Sequence, residues 1–183
     1  MNKRGFSIFF KNKNAQVWVE TVIYTLIGLT IIGILLVATL PRIEEMKDQS
    51  LIEQSIQSLG KINEQIYDAL KAPGNRRVIQ QLNIGKGSFF IDGEKNKLRW
   101  ELESTKQYSE SGVSIKVGIV NVTTTGNDPW FITLEVDYSN LDIKFNNQDI
   151  IKEFYESSTP YRVSLEYLSL NSNNKPIINF DEF

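Results

Sequence analysis

The longest apolar segment of the chain lies close to its N-terminus. Residues 21–40 read TVIYTLIGLTIIGILLVATL, contain no charged side chain and are followed by Pro41. Twenty residues in an α-helix rise about 30 Å, which matches the thickness of the bilayer hydrocarbon. The run is too long for a strand. It therefore predicts a membrane-spanning helix within residues 16–41.

A second helical pattern follows this apolar run. The apolar residues recur at a mean spacing of about 3.6 residues, the period of an α-helix. They are Ile52, Ile56, Leu59, Ile62, Ile66 and Leu70. Polar residues fill the opposite face, and the segment Ala72-Pro73-Gly74-Asn75 ends the pattern. We predict an amphipathic helix over residues 42–72 that packs on the chain's own sheet. Packing against neighbouring helices in a polymer is the alternative.

Residues 75–183 show the alternation of apolar and polar positions that is typical of strands. Residues 88–103 predict a hairpin in which Leu98, Trp100 and Leu102 face the core. Further strands are expected near residues 130–138, 141–145 and 161–167, with an edge strand over residues 177–180. Five to seven antiparallel strands are expected. The predicted fold class is α+β, a long N-terminal transmembrane helix followed by an antiparallel β-sheet or small β-sandwich domain.

The alternation changes phase within residues 113–122. Val113, Ile115, Val117 and Ile119 share one parity, whereas Val120 and Val122 share the other. A β-bulge near Ile119–Val120 would reconcile the two halves. Asn121-Val122-Thr123 is a glycosylation sequon, and Asn121 would point outward if its valine neighbours point inward. Asn121 is thus either a glycan acceptor or an unmodified polar residue at the end of a strand.

Charge predicts the orientation of the helix in the membrane. Residues 1–15 form a leader with four basic side chains, Lys3, Arg4, Lys11 and Lys13, and no acidic one. Basic residues before a span place that end in the cytoplasm. We expect a single-pass protein whose β-domain lies outside the cell. From residue 16 on, the chain carries 16 basic and 22 acidic side chains, a net charge of −6, which argues against a nucleic-acid partner.

Composition argues against an enzyme and against a cofactor. The chain has no cysteine and no histidine, which excludes disulfides, thiolate metal sites and the usual general base. Six carboxylates of the β-domain invite a metal or glycosidase interpretation: Asp92, Glu101, Glu103, Glu135, Asp137 and Asp142. Glu101, Glu103, Glu135 and Asp137 alternate with apolar residues, so they are expected on a solvated face. We predict no metal site and no catalytic residues.

The junction Lys13-Asn14-Ala15-Gln16-Val17-Trp18-Val19-Glu20 precedes the apolar run directly. A secretory signal peptide carries its small-residue cleavage site after the apolar region. Here the small residue, Ala15, comes before that region. Cleavage at Ala15–Gln16 would remove the basic leader and keep the span, as suits a subunit that waits in the membrane for assembly.

These residues resemble archaeal type IV pilin-like proteins with class III signal peptides. The family motif is similar to Gln-x-Ser-x-Glu, which a prepilin-peptidase-like aspartic protease of the membrane cuts before the glutamine. Gln16 and Glu20 match at the right spacing, whereas Trp18 replaces the serine. The resemblance implies a surface-filament subunit, major or minor, whose partners are other pilin-like subunits. It also implies that Glu20 pairs with the new amine of Gln16 on a neighbour. The alternatives are an interfacial Glu20 and an uncleaved, membrane-anchored β-domain that binds a ligand or partner.

Overall fold

The computed structural model describes the backbone of residues 13–183, and the side chains from residue 17 onward except at residues 80 and 81. The leader residues 1–12 lie outside the described residues. The chain divides into two compact units, Met1–Ile43 and Glu44–Phe183. The architecture is α+β, as predicted: one long N-terminal helix precedes β-sheets whose strands are almost all antiparallel.

Helix α1 spans Lys13–Ala69 and contains Pro41. Its part in the first unit is the apolar run, in which the isolated residues Gly28 and Gly33 do not interrupt the helix. Its part in the second unit is the amphipathic pattern. There Ile52, Leu59, Ile62 and Ile66 are at most 2% exposed. The helical period read from the sequence therefore predicted the buried face correctly.

Ten strands follow in chain order and form two sheets. The strands are β1 Arg76–Leu82, β2 Ser88–Asp92, β3 Lys97–Ser104, β4 Ser114–Val117, β5 Val120–Gly126, β6 Trp130–Asp137, β7 Asp142–Phe145, β8 Ile151–Tyr155, β9 Tyr161–Leu170 and β10 Pro176–Glu182. A six-stranded sheet has the order β4-β5-β6-β3-β2-β8, and a four-stranded sheet has the order β1-β9-β10-β7. Every pair is antiparallel except β7 with β10, which is parallel.

One apolar core joins the second-unit part of α1 to both sheets. An aromatic cluster lies at its centre. The Phe154 ring of the six-stranded sheet is 6.1 Å from Phe89 of the same sheet and 6.1 Å from Phe145 of the four-stranded sheet, centroid to centroid. Trp100 is 5.4 Å from Phe89. Such tilted and edge-on contacts add to the burial of the rings. Trp100 is a core residue, as its place among apolar neighbours predicted.

The predicted β-bulge near residues 119–120 is wrong, because the phase change is a hairpin turn. Val117 pairs with Val120 across the hairpin of β4 and β5, so Gly118 and Ile119 form the two-residue connection. Gly118 has a φ of +62°, a conformation that glycine adopts without steric cost. Because the turn has two residues, Val117 and Val120 lie on the same face of the hairpin. The apolar positions therefore change from odd to even numbers, as they would at a bulge.

The strand count and one strand's position also differ from the prediction. Strands β1 and β8 were not predicted; both lie at sheet edges. In β8 only Phe154 is buried. The predicted edge strand at residues 177–180 is β10, which lies between β9 and β7. Three successive buried residues, Ile178, Asn179 and Phe180, reflect that interior position.

Candidate functional site

The apolar part of α1 is the most unusual surface of the described chain. From Val17 to Leu40 its large apolar side chains are exposed on every side of the helix, including Leu29 at 60% and Val37 at 75%. None of the most apolar 18-residue window is buried, and its mean hydropathy is 2.4. A soluble protein rarely exposes a contiguous apolar surface of this extent. The helix is thus long and apolar enough to cross a membrane, or to pack among other helices.

The threonine hydroxyl groups of this apolar run form hydrogen bonds within the helix itself. Thr21, Thr25, Thr30 and Thr39 each donate a hydrogen bond to the backbone carbonyl four residues earlier, at 2.6–2.9 Å. An unsatisfied hydroxyl is costly in hydrocarbon, and an internal acceptor removes that cost. The sequence analysis assigned these threonines no role. The signal that identifies their role is a threonine inside a charge-free helix, where the i−4 carbonyl is always in reach.

The residues of the predicted processing and assembly site lie at the start of this helix. Ala15 and Gln16 belong to the backbone of α1, and their side chains lie outside the described residues. Glu20 is exposed, one helical turn after Gln16. Trp18, the residue that departs from the family motif, is 69% exposed. An exposed tryptophan next to a span suits the headgroup region.

A polar cluster fixes the start of the second unit. Asp48 of α1 is 5% exposed. One of its carboxylate oxygens accepts a hydrogen bond from Lys86 Nζ at 2.6 Å, and the other accepts from the Thr105 amide and hydroxyl at 2.7 and 2.9 Å. Burial alone would raise the pKa of Asp48, but the hydrogen bonds from Lys86 and Thr105 outweigh it and hold the pKa below its ordinary value. Sequence reasoning missed this cluster because its members lie far apart along the chain.

A second polar contact joins the helix to the six-stranded sheet. The Tyr138 hydroxyl donates to Asn63 Oδ1 of α1 at 3.1 Å, and Tyr138 is 2% exposed. Desolvation raises the pKa of Tyr138 well above its ordinary value, with a smaller contribution from Tyr67. The phenol therefore stays protonated and remains a donor at any physiological pH. This contact gives the amphipathic face of α1 a defined register on the sheet.

The carboxylates singled out in the sequence lie mostly on the outer face of the six-stranded sheet. Lys97 Nζ is 2.8 Å from Glu135 and 3.7 Å from Asp137, and Arg99 Nε is 3.0 Å from Glu101. Cross-strand register places Lys97 opposite Asp137, whereas Arg99 and Glu101 are neighbours on one face of β3. Asp92 instead accepts the Lys95 amide in the β2–β3 turn. Among the described residues, no group of three or more carboxylates could hold a metal ion.

Asn121 lies on the outer face of β5. Its neighbours Val120 and Val122 are buried, so the expected outward direction of Asn121 is confirmed, and its side chain is half-buried. Thr123 of the sequon lies on the same face. Glycosylation of Asn121 stays a prediction.

No protein-family model, no curated protein and no solved structure matches this chain.

Proposed function

We propose that this chain is a structural subunit, major or minor, of an archaeal type IV pilus-like surface filament. It is made as a membrane-inserted precursor and cleaved before Gln16 by a prepilin-peptidase-like aspartic protease. The observation that carries the proposal is the apolar helix surface, exposed on all sides from Val17 to Leu40. Its position directly after a Gln-x-x-x-Glu junction and a basic leader supports processing in preference to simple anchoring.

Assembly exchanges lipid for protein around this helix. In the bilayer the exposed apolar side chains contact acyl chains. In a filament they contact the same segment of neighbouring subunits, and the intrahelical bonds of the four threonines spare their hydroxyl groups the cost of desolvation. The second unit has its own core. It therefore needs no change of fold when the helix moves from membrane to filament.

Glu20 supplies the specificity of assembly. A carboxylate buried among helices without a counter-charge is costly, whereas a paired one is tolerated. Cleavage before Gln16 creates a new amine four residues from Glu20. That amine, on a neighbouring subunit, neutralises Glu20 and sets the axial register of the helices. Subunits that miss this register do not bring the Gln16 amine of one copy to Glu20 of the next.

The test replaces Glu20 with alanine in the full chain and examines cells by electron microscopy. We expect Glu20→Ala to abolish surface filaments while the chain remains in the membrane fraction. Glu44→Ala is the matched control, because Glu44 is an exposed carboxylate on the same helix beyond the apolar run. The control should assemble normally.

An uncleaved anchored β-domain gives a different result. In that case wild type, Glu20→Ala and Glu44→Ala would all remain in the membrane fraction, and none would form filaments. That outcome would overturn the proposal.

A further inference from the structure

The six-stranded sheet ends in two open edges. Strand β4 forms one edge and β8 forms the other, and no strand among the described residues pairs with their outer sides. An open edge presents unpaired backbone N–H and C=O groups to the surroundings. The two strands have similar lengths, four residues in β4 and five in β8. Each could therefore accept the other from a second copy.

Both edges also expose apolar side chains. At the β4 edge these are Val113, Ile115 and Ile119, and at the β8 edge they are Ile150, Ile151 and Tyr155, each between 37% and 61% exposed. These residues account for a large part of the exposed apolar surface of the second unit. In an antiparallel pairing that sets Lys116 opposite Glu153, Ile119 of one copy lies across from Ile150 of the next, whereas Ile115 lies on the core side of the sheet and Ile151 and Tyr155 lie on its outer side.

Strand direction makes the two edges complementary. All five neighbouring pairs in this sheet are antiparallel. With six strands, the first and the last therefore run in opposite directions. A second copy that is shifted sideways by the width of the sheet and rotated by the twist accumulated over its strands places its β8 antiparallel to β4. The sheet then continues with the antiparallel alternation unbroken.

Charge is complementary in the same register. One row of residues crosses the outer face of all six strands: Lys116, Asn121, Glu135, Arg99, Phe90 and Glu153. Lys116 lies at one end of the row and Glu153 at the other. Lys116 has no ion-pair partner among the described residues. In the extended sheet, Lys116 of one copy faces Glu153 of the next.

We propose that β4 of one copy adds to β8 of a second copy, antiparallel, with Lys116 beside Glu153. This inference rests on the proposed function, because a filament relates successive copies by one repeated rotation and rise. The contact joins two different edges, so it is heterologous and propagates along an assembly without closing into a dimer. It would link the β-units of neighbouring subunits on the outside of the filament.

The test uses cysteine pairs, for which the chain offers a clean background because it contains no cysteine. Lys116→Cys and Glu153→Cys are combined in the full-length chain, and surface material is oxidised and run on a non-reducing gel. Within one copy, five strand spacings separate the two positions by roughly 24 Å, too far for a disulfide. A bond between them can therefore form only between copies.

We expect a ladder of covalent multimers from Lys116→Cys/Glu153→Cys. Each single variant should give no ladder, because one thiol per chain can link at most two chains. A heterologous contact also does not bring identical positions together. The matched control is Lys116→Cys/Asn173→Cys, which places the second thiol in the exposed turn between β9 and β10. It should give no ladder.

Microscopy of the same samples separates this inference from the proposed function. Filaments without a ladder above the control would overturn the edge-to-edge contact and leave the filament proposal standing. A ladder without filaments would support the contact and contradict the filament. Neither ladder nor filaments would overturn both.

Discussion

At the scale of single residues, Asp48 is a nearly buried carboxylate that accepts three hydrogen bonds. A buried carboxylate costs free energy unless its oxygens are hydrogen-bonded and its charge is compensated. Asp48 has both, through Lys86 and Thr105. Lys86 lies just before β2, and Thr105 lies just after β3. The Asp48 side chain therefore links the helix to two loops of the six-stranded sheet.

We expect Asp48→Asn to lower the free energy of unfolding of the full chain by about 2 kcal/mol, because the amide loses the ion pair and can satisfy only part of the network. Chemical denaturation in detergent micelles measures this. Asp68→Asn is the control, since Asp68 on the same helix holds Lys71 and Arg77 at the surface. A loss in Asp68→Asn as large as that in Asp48→Asn would contradict the assigned role.

The pH dependence of Asp48 has a defined sign. Its pKa is lowered in the folded protein from the ordinary value of 3.8. The stability that it contributes is therefore complete above pH 3.8 and is lost as the pH falls through the lower, folded value. The difference in unfolding free energy between wild type and Asp48→Asn should shrink on acidification below that pH. A difference that stays constant down to pH 2 would contradict the assignment.

At the scale of elements, the amphipathic part of α1 is held by its buried stripe. Leu59 is fully buried in the common core. Leu59→Ala should lower the free energy of unfolding by about 2–5 kcal/mol, the range for a large-to-small change in a packed core. Circular dichroism during denaturation checks this. The neighbouring Ser58→Ala should have little effect, because the Ser58 hydroxyl only bonds back to its own helix.

The same helix contains a position at which a substitution should stabilise the protein. A Cβ atom added to Gly60 meets no heavy atom within 4 Å. Since glycine loses more backbone entropy than alanine in a helix, Gly60→Ala should raise the unfolding free energy by about 0.5–1 kcal/mol. A thermal melt of the second unit's near-ultraviolet signal measures it. A lower melting temperature would mean that Gly60 is needed for a close approach that the structure does not show.

Elements with a one-sided burial pattern were predictable, and the others were not. The stripe of α1, the β2–β3 hairpin and β6 bury alternate or helically spaced residues, so their periods survive in the sequence. The edge strand β8 buries only Phe154, which is too little to show a period. The parallel pairing of β10 with β7 depends on chain topology, which no local pattern encodes. The turn at Gly118 was mistaken for a bulge because both shift the parity.

The candidate site was predictable only where its chemistry is local. The apolar run and the junction from Ala15 to Glu20 are contiguous, and the helix that carries them is present as expected. The contacts of Asp48 join residues up to 57 positions apart. The alignment of Lys116 with Glu153 needs the register of six strands. Such relations arise only when the chain folds.

At the scale of the whole molecule, the two units differ in how much of their apolar surface they bury. The first carries a helix with no buried side chain in its most apolar window. The second carries a complete core formed by its own helix segment and two sheets. An exposed apolar helix in one unit and a complete apolar core in the other suit a subunit that is stored in a membrane and then polymerised through its helix.

The central claim is cleavage before Gln16 followed by assembly, and the first residue of the assembled chain tests it most directly. Filaments are sheared from the cell surface and the intact chain is analysed by mass spectrometry. We predict a chain that starts at Gln16 with its amine free, because Glu20 of a neighbour holds that amine as a charged group. A chain that retains Met1 and stays entirely in the membrane fraction would contradict the account.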